Sequence, residues 1–324
     1  MVDRPDPHST VSEVEAHRLP PRLAAIADRY DAAVGVRDRF LWKWFHHLNP
    51  AFRLSSVAPA HERKVRTDKS LLTFYVTLLD DLVDERDDLA TFQEAAKVPF
   101  DHCRAEADRR GVDRRVLSLA EEVWDAFERS ARCAPRFGEF VDLLRYDLQQ
   151  AVNAVRYGHI TNRYPQGTTL RESYDYASHN MAMFSFADVD LMHSPSFERR
   201  ELRGVRSCIW TAQRMARIGN WVSTWKRELA SGDLTSGVLV CAAEQDIVSE
   251  GDLQRLREDP DEAFVATLRE RIDREAVPAL LLEQWRAYYE ELAVAADLDS
   301  VDIDRFRRGM RRVMQYHVES EGRK

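Results

Sequence analysis

Apolar residues recur at helical spacing along almost the whole chain, and no run alternates between apolar and polar residues as a half-buried strand would. The run from His61 to Asp88 is apolar on nearly every side, which predicts a central buried helix. A second long helix is predicted from Phe197 to Leu229. The pattern predicts an all-α fold, whose other helices cover roughly residues 14–30, 36–47, 91–110, 113–133, 135–156, 170–192, 238–244, 250–257, 261–275, 277–296 and 301–319.

Three breaks interrupt this helical pattern. Glycine and proline predict a loop over residues 157–169, and the segment Gly232–Gly237 ends the second long helix. Between these two breaks, the helix predicted over 170–192 is interrupted at 178–180 by serine, histidine and asparagine, which are poor helix formers. The chain should therefore change direction or bend at each of these places.

Composition and charge narrow the classes of function. Glycine and proline are scarce, with 12 of each among 324 residues, which favours long helices over a turn-rich β fold. The net charge of −8 offers no general attraction to nucleic acid or to an anionic membrane, so an anionic substrate would need local cations or metals. Without a linker or a shift in composition, the sequence predicts one domain over residues 11–324 after a disordered N-terminus, residues 1–10.

Nothing in the sequence indicates export or a membrane span. Residues 1–8 lack the apolar segment of a signal peptide, and no apolar run approaches the ~18 residues of a spanning helix. The cysteines lie far apart without a CxxC pair, which is typical of reduced core thiols; they are Cys103, Cys133, Cys208 and Cys241. We therefore expect a cytoplasmic protein. Its oligomeric state stays open, with a homodimer as one alternative.

The first acidic pattern lies inside the central helix. Asp80 and Asp84 are four residues apart, so their carboxylates project from one helical face about 40° apart. Carboxylates this close repel each other unless cations bind, and Mg²⁺ takes one or two carboxylates together with waters and phosphates. The alternative is a solvated acidic turn, against which the apolar neighbours Leu78, Leu79 and Leu82 argue.

A second polar pattern lies in the other long helix. Asn220, Thr224 and Glu228 fall at positions i, i+4 and i+8 and so form one stripe of oxygen atoms. An amide, a hydroxyl and a carboxylate are an unusual set to bury together without a ligand, and they suit a hard divalent cation. Each residue alone would more often be a surface group or a hydrogen-bonded core group. Two such stripes on long helices predict a metal site between facing helices.

The two patterns together resemble those of the class I terpene synthases. This family carries a DDxxD motif, here Asp80–Asp84, and a downstream triad of the form (N/D)xxx(S/T)xxxE, here running from Asn220 to Glu228. The segment Gly232–Val238 also resembles the loop that follows the triad in bacterial members. The resemblance covers about residues 40–316, and the paired motifs at this spacing are specific, whereas DDxxD alone is not.

The resemblance implies a helical barrel that binds three Mg²⁺ ions and an isoprenoid diphosphate. Asp80, together with Asp84, would hold two ions, and the triad would hold the third. The metals would neutralise charge on the departing diphosphate, leaving an allylic carbocation to be cyclised. Arg227, the basic residue just before Glu228, is implied as a diphosphate contact.

This chain departs from the family pattern at three positions, which bear on how the diphosphate is bound. The usual diphosphate-sensing arginine has no match: Tyr174 stands near its expected position, and Arg171 lies one turn earlier. The aspartate that often follows the triad asparagine is Trp221. The usual C-terminal Arg-Tyr pair is missing, which leaves Arg311, Arg312 and Tyr316 as the nearest counterparts.

We expect aromatic side chains to line the substrate pocket, because aromatic faces stabilise a cation without trapping it covalently. For each aromatic residue taken singly, core packing is the alternative. The expected lining residues are Phe74, Tyr75, Phe184, Trp210 and Tyr316, with Phe186 as a further choice. The departures at the diphosphate-binding positions and the loop after the triad favour a C20 substrate, either geranylgeranyl or a copalyl-type diphosphate. The DxDD motif of protonation-type cyclases is absent, so a copalyl-type substrate would come from a partner enzyme.

Two other functions remain open from the sequence. A condensing enzyme of the squalene or phytoene synthase type also has two acidic helices, but its second motif is normally another aspartate pair rather than an Asn/Thr/Glu stripe. The third alternative is a non-catalytic helical binding protein of the same fold, which metal-dependent stabilisation by diphosphate would argue against.

Overall fold

The computed structural model describes residues 7–258, 260–294, 298–320 and 323. Within these ranges all regular structure is helical, as the apolar spacing predicted. In the same ranges the α-helices, numbered in chain order, are α1 Pro7–Ala16, α2 Pro21–Ala33, α3 Arg39–Leu48, α4 Glu62–Asp84, α5 Leu89–Ala95, α6 Arg114–Ala131, α7 Phe137–Arg163, α8 Leu170–Asp175, α9 Met183–Met192, α10 Leu202–Ser231, α11 Gly237–Glu244, α12 Glu250–Glu258, α13 Glu262–Arg274, α14 Val277–Ala293 and α15 Ile303–Glu319.

The N-terminal helix predicted over residues 14–30 is two helices in the structure. The Pro20-Pro21 pair separates α1 from α2, because proline has no backbone N–H with which to continue a helix. Pro21 instead starts α2, because the backbone N–H of the first helical residue has no partner within a helix and its loss costs little there. Of the residues expected to be disordered, 1–6 lie outside the described ranges and 7–10 belong to α1.

The helix predicted over 91–110 is limited to α5. Pro99 cannot donate a helical hydrogen bond and restricts the residue before it, so the helix stops and turns follow. The buried carboxylate of Glu94 holds these turns, since it accepts hydrogen bonds from Lys97 Nζ at 2.6 Å and Arg109 Nη1 at 2.7 Å. The predicted helix is therefore shorter than its apolar pattern indicates, because Pro99 interrupts it.

The loop predicted over 157–169 begins later than expected. Helix α7 continues through Gly158 as far as Arg163, and irregular chain starts at Tyr164. A glycine inside a helix costs about 1 kcal/mol relative to alanine. The packing of α7 against α4 and α9 offsets this cost.

The central helices and the predicted interruption are confirmed. Helices α4 and α10 correspond to the two long helices, and Asp113 caps α6 by accepting hydrogen bonds from two backbone N–H groups. The segment 170–192 is divided into α8, a short 3₁₀ turn at Ala177–Met181, and α9. Helix α4 packs against α6, α7 and α9, while α10 packs against α9, α14 and α15. These contacts place α4 and α10 at the centre of the bundle.

Two close contacts fix the chain between α3 and α4. A buried ion pair joins α4 to α9, with Lys69 Nζ 2.7 Å from Asp190 Oδ2, and the same oxygen accepts a hydrogen bond from the Leu54 N–H at 2.9 Å. On the other side, α15 approaches so closely that a Cβ on Gly309 would lie 1.6 Å from the Ala51 carbonyl oxygen. Glycine is therefore required at this crossing.

Two further expectations concern membranes and cysteines. Among the described residues, no helix has both the length and the apolar character needed to cross a bilayer. All four cysteines are unpaired, and Cys208 and Cys241 are buried. Cys103 and Cys133 are exposed, so the expectation of core thiols is wrong for these two.

Candidate active site

A cavity lies between α4, α9, α10 and α15, with an empty volume of about 1340 Å³ that includes its open mouth. The residues predicted as metal ligands all line it: Asp80, Asp84, Asn220, Thr224 and Glu228. The structure thus brings the two oxygen stripes, which are far apart in sequence, onto the wall of one cavity. Their role as ligands remains a prediction.

Asp80 and Asp84 lie in the last two turns of α4. The Asp80 side chain is 25% exposed, whereas Asp84 Oδ1 is buried and accepts no hydrogen bond. Burial raises the pKa of Asp80. Burial, followed by the charges of Asp80 and Asp233, raises the pKa of Asp84 well above its usual value. A bound cation would relieve this unfavourable negative charge.

Asn220, Thr224 and Glu228 lie on successive turns of α10. The Thr224 hydroxyl is 2.7 Å from the backbone carbonyl oxygen of Asn220 and 2.6 Å from Glu228 Oε1, so it lies between these two oxygens. Glu228 Oε2 is buried without a hydrogen-bond partner. Burial, and then the charge of Asp233, raises the pKa of Glu228 to about 7. The carboxylate of this stripe therefore has a buried oxygen that receives no hydrogen bond from the described residues.

The available donor atoms fit a hard divalent cation. Asp84 Oδ1, Asn180 Oδ1 and Glu228 Oε2 are buried oxygens without a hydrogen-bond partner in the part of the chain that the structure describes, although buried acceptors in native proteins are nearly always satisfied. Carboxylate and amide oxygens are ligands that such cations prefer. In the described ranges, no three Asp, Glu, His or Cys side chains converge into a ready-made metal site. Water or oxygens of a bound substrate would have to complete any metal shell.

Of the three arginines predicted to bind diphosphate, Arg227 lies on the cavity wall, with its Nε buried and unpaired. The other two do not line the cavity. Arg171 is 91% exposed on α8 and lies 3.7 Å from Asp175. Arg312 lies on the face of α15 turned away from the cavity, where its Nη2 is 3.5 Å from the Tyr316 hydroxyl.

Phe74 and Tyr75 do not line the cavity, contrary to expectation. At 3.6 residues per turn, they project about 120° and 140° away from Asp80 around α4. Both side chains are buried in the core instead, 3% and 0% exposed. Thr73 and Val76 lie within about 40° of Asp80 and line the wall in their place. Proximity in sequence to Asp80 was misleading, because the helical angle decides which side chains face the cavity.

The other three predicted aromatic residues also lie outside the cavity. Phe184 and Trp210 form a separate cluster with His179, with ring centroids 5.2 to 6.0 Å apart. Tyr316 points away and donates a hydrogen bond to Glu13 at 2.6 Å. Phe186, two residues beyond Phe184 and on the opposite face of α9, does line the cavity.

Several lining residues were missed from the sequence. Arg217 lies three residues before Asn220 on the same face of α10, so the helical spacing could have identified it. Arg37 stands in a loop before α3, where no periodic pattern identifies it. Phe45 and Phe52 reach the cavity through tertiary packing and form ring contacts there with Phe186 at 5.2 and 5.8 Å. Further missed residues on the wall are Leu41, Trp44, Met310, Val313 and His317.

Tyr174 and Trp221, two residues that differ from the family motifs, contact each other. Their ring centroids lie 5.4 Å apart. Trp221 is fully buried and packs so tightly on α11 that a Cβ on Gly237 would lie 2.4 Å from its ring. An aromatic contact beside the triad therefore occupies the two positions where the family usually has charged residues.

The fold and the cavity describe an all-helical enzyme whose acidic wall suits divalent cations and whose remaining wall is apolar and aromatic. Comparison with protein families gives a match over residues 72–259, more than half of the chain, to terpene synthase family 2, C-terminal metal binding. The chain therefore belongs to this family and is a class I terpene synthase, a metal-binding enzyme that acts on an isoprenoid diphosphate. No curated protein matches the chain in a sequence search. Family membership favours the cyclase over the condensing-enzyme and binding-protein alternatives.

Proposed function

We propose that the protein is a Mg²⁺-dependent cyclase that ionises an isoprenoid diphosphate and cyclises the resulting carbocation, with a C20 diphosphate as its substrate. The observation that carries this proposal is the meeting of both oxygen stripes and Arg227 on the wall of one cavity. Two unpaired carboxylate oxygens, Asp84 Oδ1 and Glu228 Oε2, support metal binding there.

The proposed ligands divide between two helices. Asp80 and Asp84 of α4 would hold two of three ions, and Asn220, Thr224 and Glu228 of α10 would hold the third. When bound, the ions supply Lewis-acid stabilisation of the charge that develops on the leaving diphosphate. The chain's own part is to place these oxygens on the wall of one cavity, where the diphosphate would bind.

Two arginines on the wall would bind the diphosphate directly. Arg227 has an unpaired Nε, and Arg37 is held in place by Asp81 at 2.6 Å. Arg37 Nη2 also lies 3.8 Å from Asp80 and from Glu85, so its charge is close to the proposed metal ligands. Guanidinium groups suit this role because they donate several hydrogen bonds in a fixed plane to phosphate oxygens.

The apolar wall would hold the hydrocarbon chain and exclude water from the carbocation. Phe45, Phe52, Phe186 and Trp44 present aromatic side chains there. Aromatic faces attract cations by about 0.5–2 kcal/mol each, without forming a covalent bond. Exclusion of water also prevents early quenching of the intermediate. The shape of this wall would therefore determine which skeleton forms.

A geranylgeranyl or copalyl-type substrate is supported by the departures at the diphosphate-binding positions and by the segment Gly232–Val238, which resembles bacterial diterpene enzymes. The test is incubation of the full chain with Mg²⁺ and separate C10, C15, C20 and copalyl-type diphosphates, followed by product analysis. We expect cyclic products from a C20 substrate. Turnover of C15 alone would overturn the substrate assignment, and no turnover of any substrate would overturn the cyclase.

The metal ligands can be tested with Asp80→Ala and Glu228→Ala. Loss of a ligand removes several kcal/mol of charge stabilisation, so turnover should fall by roughly a hundredfold or more. Asp125→Ala is the control, because Asp125 is an exposed carboxylate of α6 outside the cavity. Full activity in either ligand variant would refute the metal assignment.

Location and assembly form a separate part of the proposal. Four unpaired cysteines suit a reducing compartment such as the cytoplasm. A homodimer is proposed as the assembly, and sedimentation or light scattering of the purified chain would show a mass of twice 37.5 kDa.

A further inference from the structure

Arg217 of α10 lies on the cavity wall, one turn before Asn220. Its side chain is buried, 7% exposed, and its guanidinium carbon lies 5.3 Å from the centroid of the Trp221 ring. A guanidinium group carries five N–H donors. Among the described residues, Arg217 Nη1 donates a hydrogen bond to Asn220 Oδ1 at 3.2 Å, and the buried Arg217 Nε has no partner there.

The hydrogen bond to Asn220 uses the oxygen that is proposed to bind a metal. An amide oxygen has two acceptor lone pairs, so geometry alone would allow a second contact. A divalent cation and a guanidinium on the same oxygen would nevertheless repel strongly inside a cavity of low dielectric constant. Arg217 and the ion therefore compete for Asn220 unless an anion lies between them.

Arg217 and the carboxylates of Asp80, Asp84 and Glu228 line the same cavity. Without metal or substrate, the positive charge of Arg217 therefore offsets part of the repulsion among these carboxylates. No arginine stands at Tyr174, so Arg217 is also a cation that the usual family motifs do not provide.

We propose that Arg217 is a positioning residue that couples metal loading to diphosphate binding. Without diphosphate, its guanidinium occupies Asn220 Oδ1 and weakens metal binding at the α10 stripe. When diphosphate binds, the guanidinium turns its unused donors to the phosphate oxygens and releases Asn220 to the metal. This inference rests on the proposed function of the site.

The coupling can be measured without turnover. Binding of Mn²⁺ to the full chain is titrated with and without inorganic diphosphate, for the wild type and for Arg217→Met. The wild type should bind Mn²⁺ more tightly with diphosphate by a factor in the usual range for coupled sites, roughly 5- to 150-fold. In Arg217→Met, Mn²⁺ alone should bind about fivefold more tightly, and the coupling factor should fall by about the same factor, leaving the part that comes from direct contact between the ion and diphosphate.

The control is Arg214→Met, which removes an arginine one turn earlier on the same helix. Arg214 pairs with Asp175 at 2.7 Å and does not line the cavity, so this variant should keep the coupling of the wild type. Should Arg217→Met fail to fold, as judged by circular dichroism, Arg217→Gln provides the same comparison.

The outcomes separate this inference from the function on which it rests. A wild type that binds neither Mn²⁺ nor diphosphate would overturn both. Coupled binding in the wild type, with unchanged or weaker binding of Mn²⁺ alone in Arg217→Met, would overturn the role of Arg217 and leave the metal site standing.

Discussion

Asp81, the second aspartate of the DDxxD motif, is paired with Arg37 and does not line the cavity. Arg37 Nε and Nη2 both lie 2.6 Å from Asp81 Oδ1. The Tyr30 hydroxyl donates to the other carboxylate oxygen. Asp81 is fully buried, whereas its neighbour Asp80 is partly exposed on the cavity wall. Adjacent aspartates of one motif therefore have different surroundings.

This difference predicts opposite effects of two matched substitutions. Asp81→Asn should lower the free energy of unfolding by about 3 kcal/mol, because it removes the nearest and fully buried ion-pair partner of Arg37. Asp80→Asn should leave metal-free stability unchanged or slightly higher, since it relieves repulsion between Asp80 and Asp84. Urea unfolding in the presence of a chelator measures both. Equal stability of the two variants would show that Asp81 has no structural role.

Phe184 and Phe186 offer a second matched pair, on opposite faces of α9. Phe186 lines the cavity beside Phe45 and Phe52, so Phe186→Leu should shift the product ratio about fivefold through the loss of about 1 kcal/mol of cation stabilisation. Phe184 lies under the guanidinium of Arg206, 4.6 Å away, outside the cavity.

Phe184→Leu is the control for this prediction. It should lower thermal stability while leaving the product ratio unchanged, because its ring is buried outside the cavity. Product analysis by gas chromatography gives the ratio. If Phe184→Leu changed the products as much as Phe186→Leu, local packing rather than contact with the cation would control the outcome.

The sequence alone predicted the parts of the site that repeat along a helix. Asp80 with Asp84, and Asn220 with Glu228, lie on common faces because the helical period fixes their relative angles. The same rule, applied to Phe74, would have excluded it from the cavity. On α4, angle around the helix and not distance along the chain decides which side chains reach the cavity.

Tertiary contacts explain what the sequence could not predict. Phe52 reaches the cavity because Asp190 binds the backbone of Leu54 from α9, a contact between residues 136 positions apart. Arg37 reaches it because Asp81 holds its side chain. Neither relationship has a periodic signal, since each depends on how separate helices pack together.

Gly237 gives a prediction about the tight packing beside the triad. A Cβ at this position would lie 2.4 Å from the Trp221 ring, so Gly237→Ala should destabilise the protein by about 2 kcal/mol through overpacking. Gly138→Ala is the control, because no atom lies within 4 Å of the added methyl and the residue is in α7. That control should be neutral or stabilising by up to about 1 kcal/mol.

A double-mutant cycle tests whether the clash involves Trp221. Trp221→Phe removes part of the ring, so Gly237→Ala should cost less in that background than in the wild type. Thermal unfolding of the four proteins gives the coupling energy. Strict additivity would indicate that the cost of Gly237→Ala arises from the backbone and not from contact with Trp221.

Glu94 predicts a loss of stability in acid. Burial alone would raise the pKa of this carboxyl, but hydrogen bonds from Lys97, Arg109 and the Glu106 N–H outweigh it and lower the pKa to about 2, from the usual value of 4.5. Because the folded-state pKa is the lower one, this contribution is fully present above pH 4.5 and is lost as the pH falls towards 2.

Glu94→Gln should therefore be less stable than the wild type at pH 6 and should lose less stability on acidification. The measurement is the denaturant midpoint at several pH values between 6 and the onset of acid unfolding. Glu121→Gln, which changes an exposed glutamate of α6, is the control and should follow the wild-type curve. Parallel curves for the wild type and Glu94→Gln would mean that Glu94 does not hold the turns after α5 through its charge.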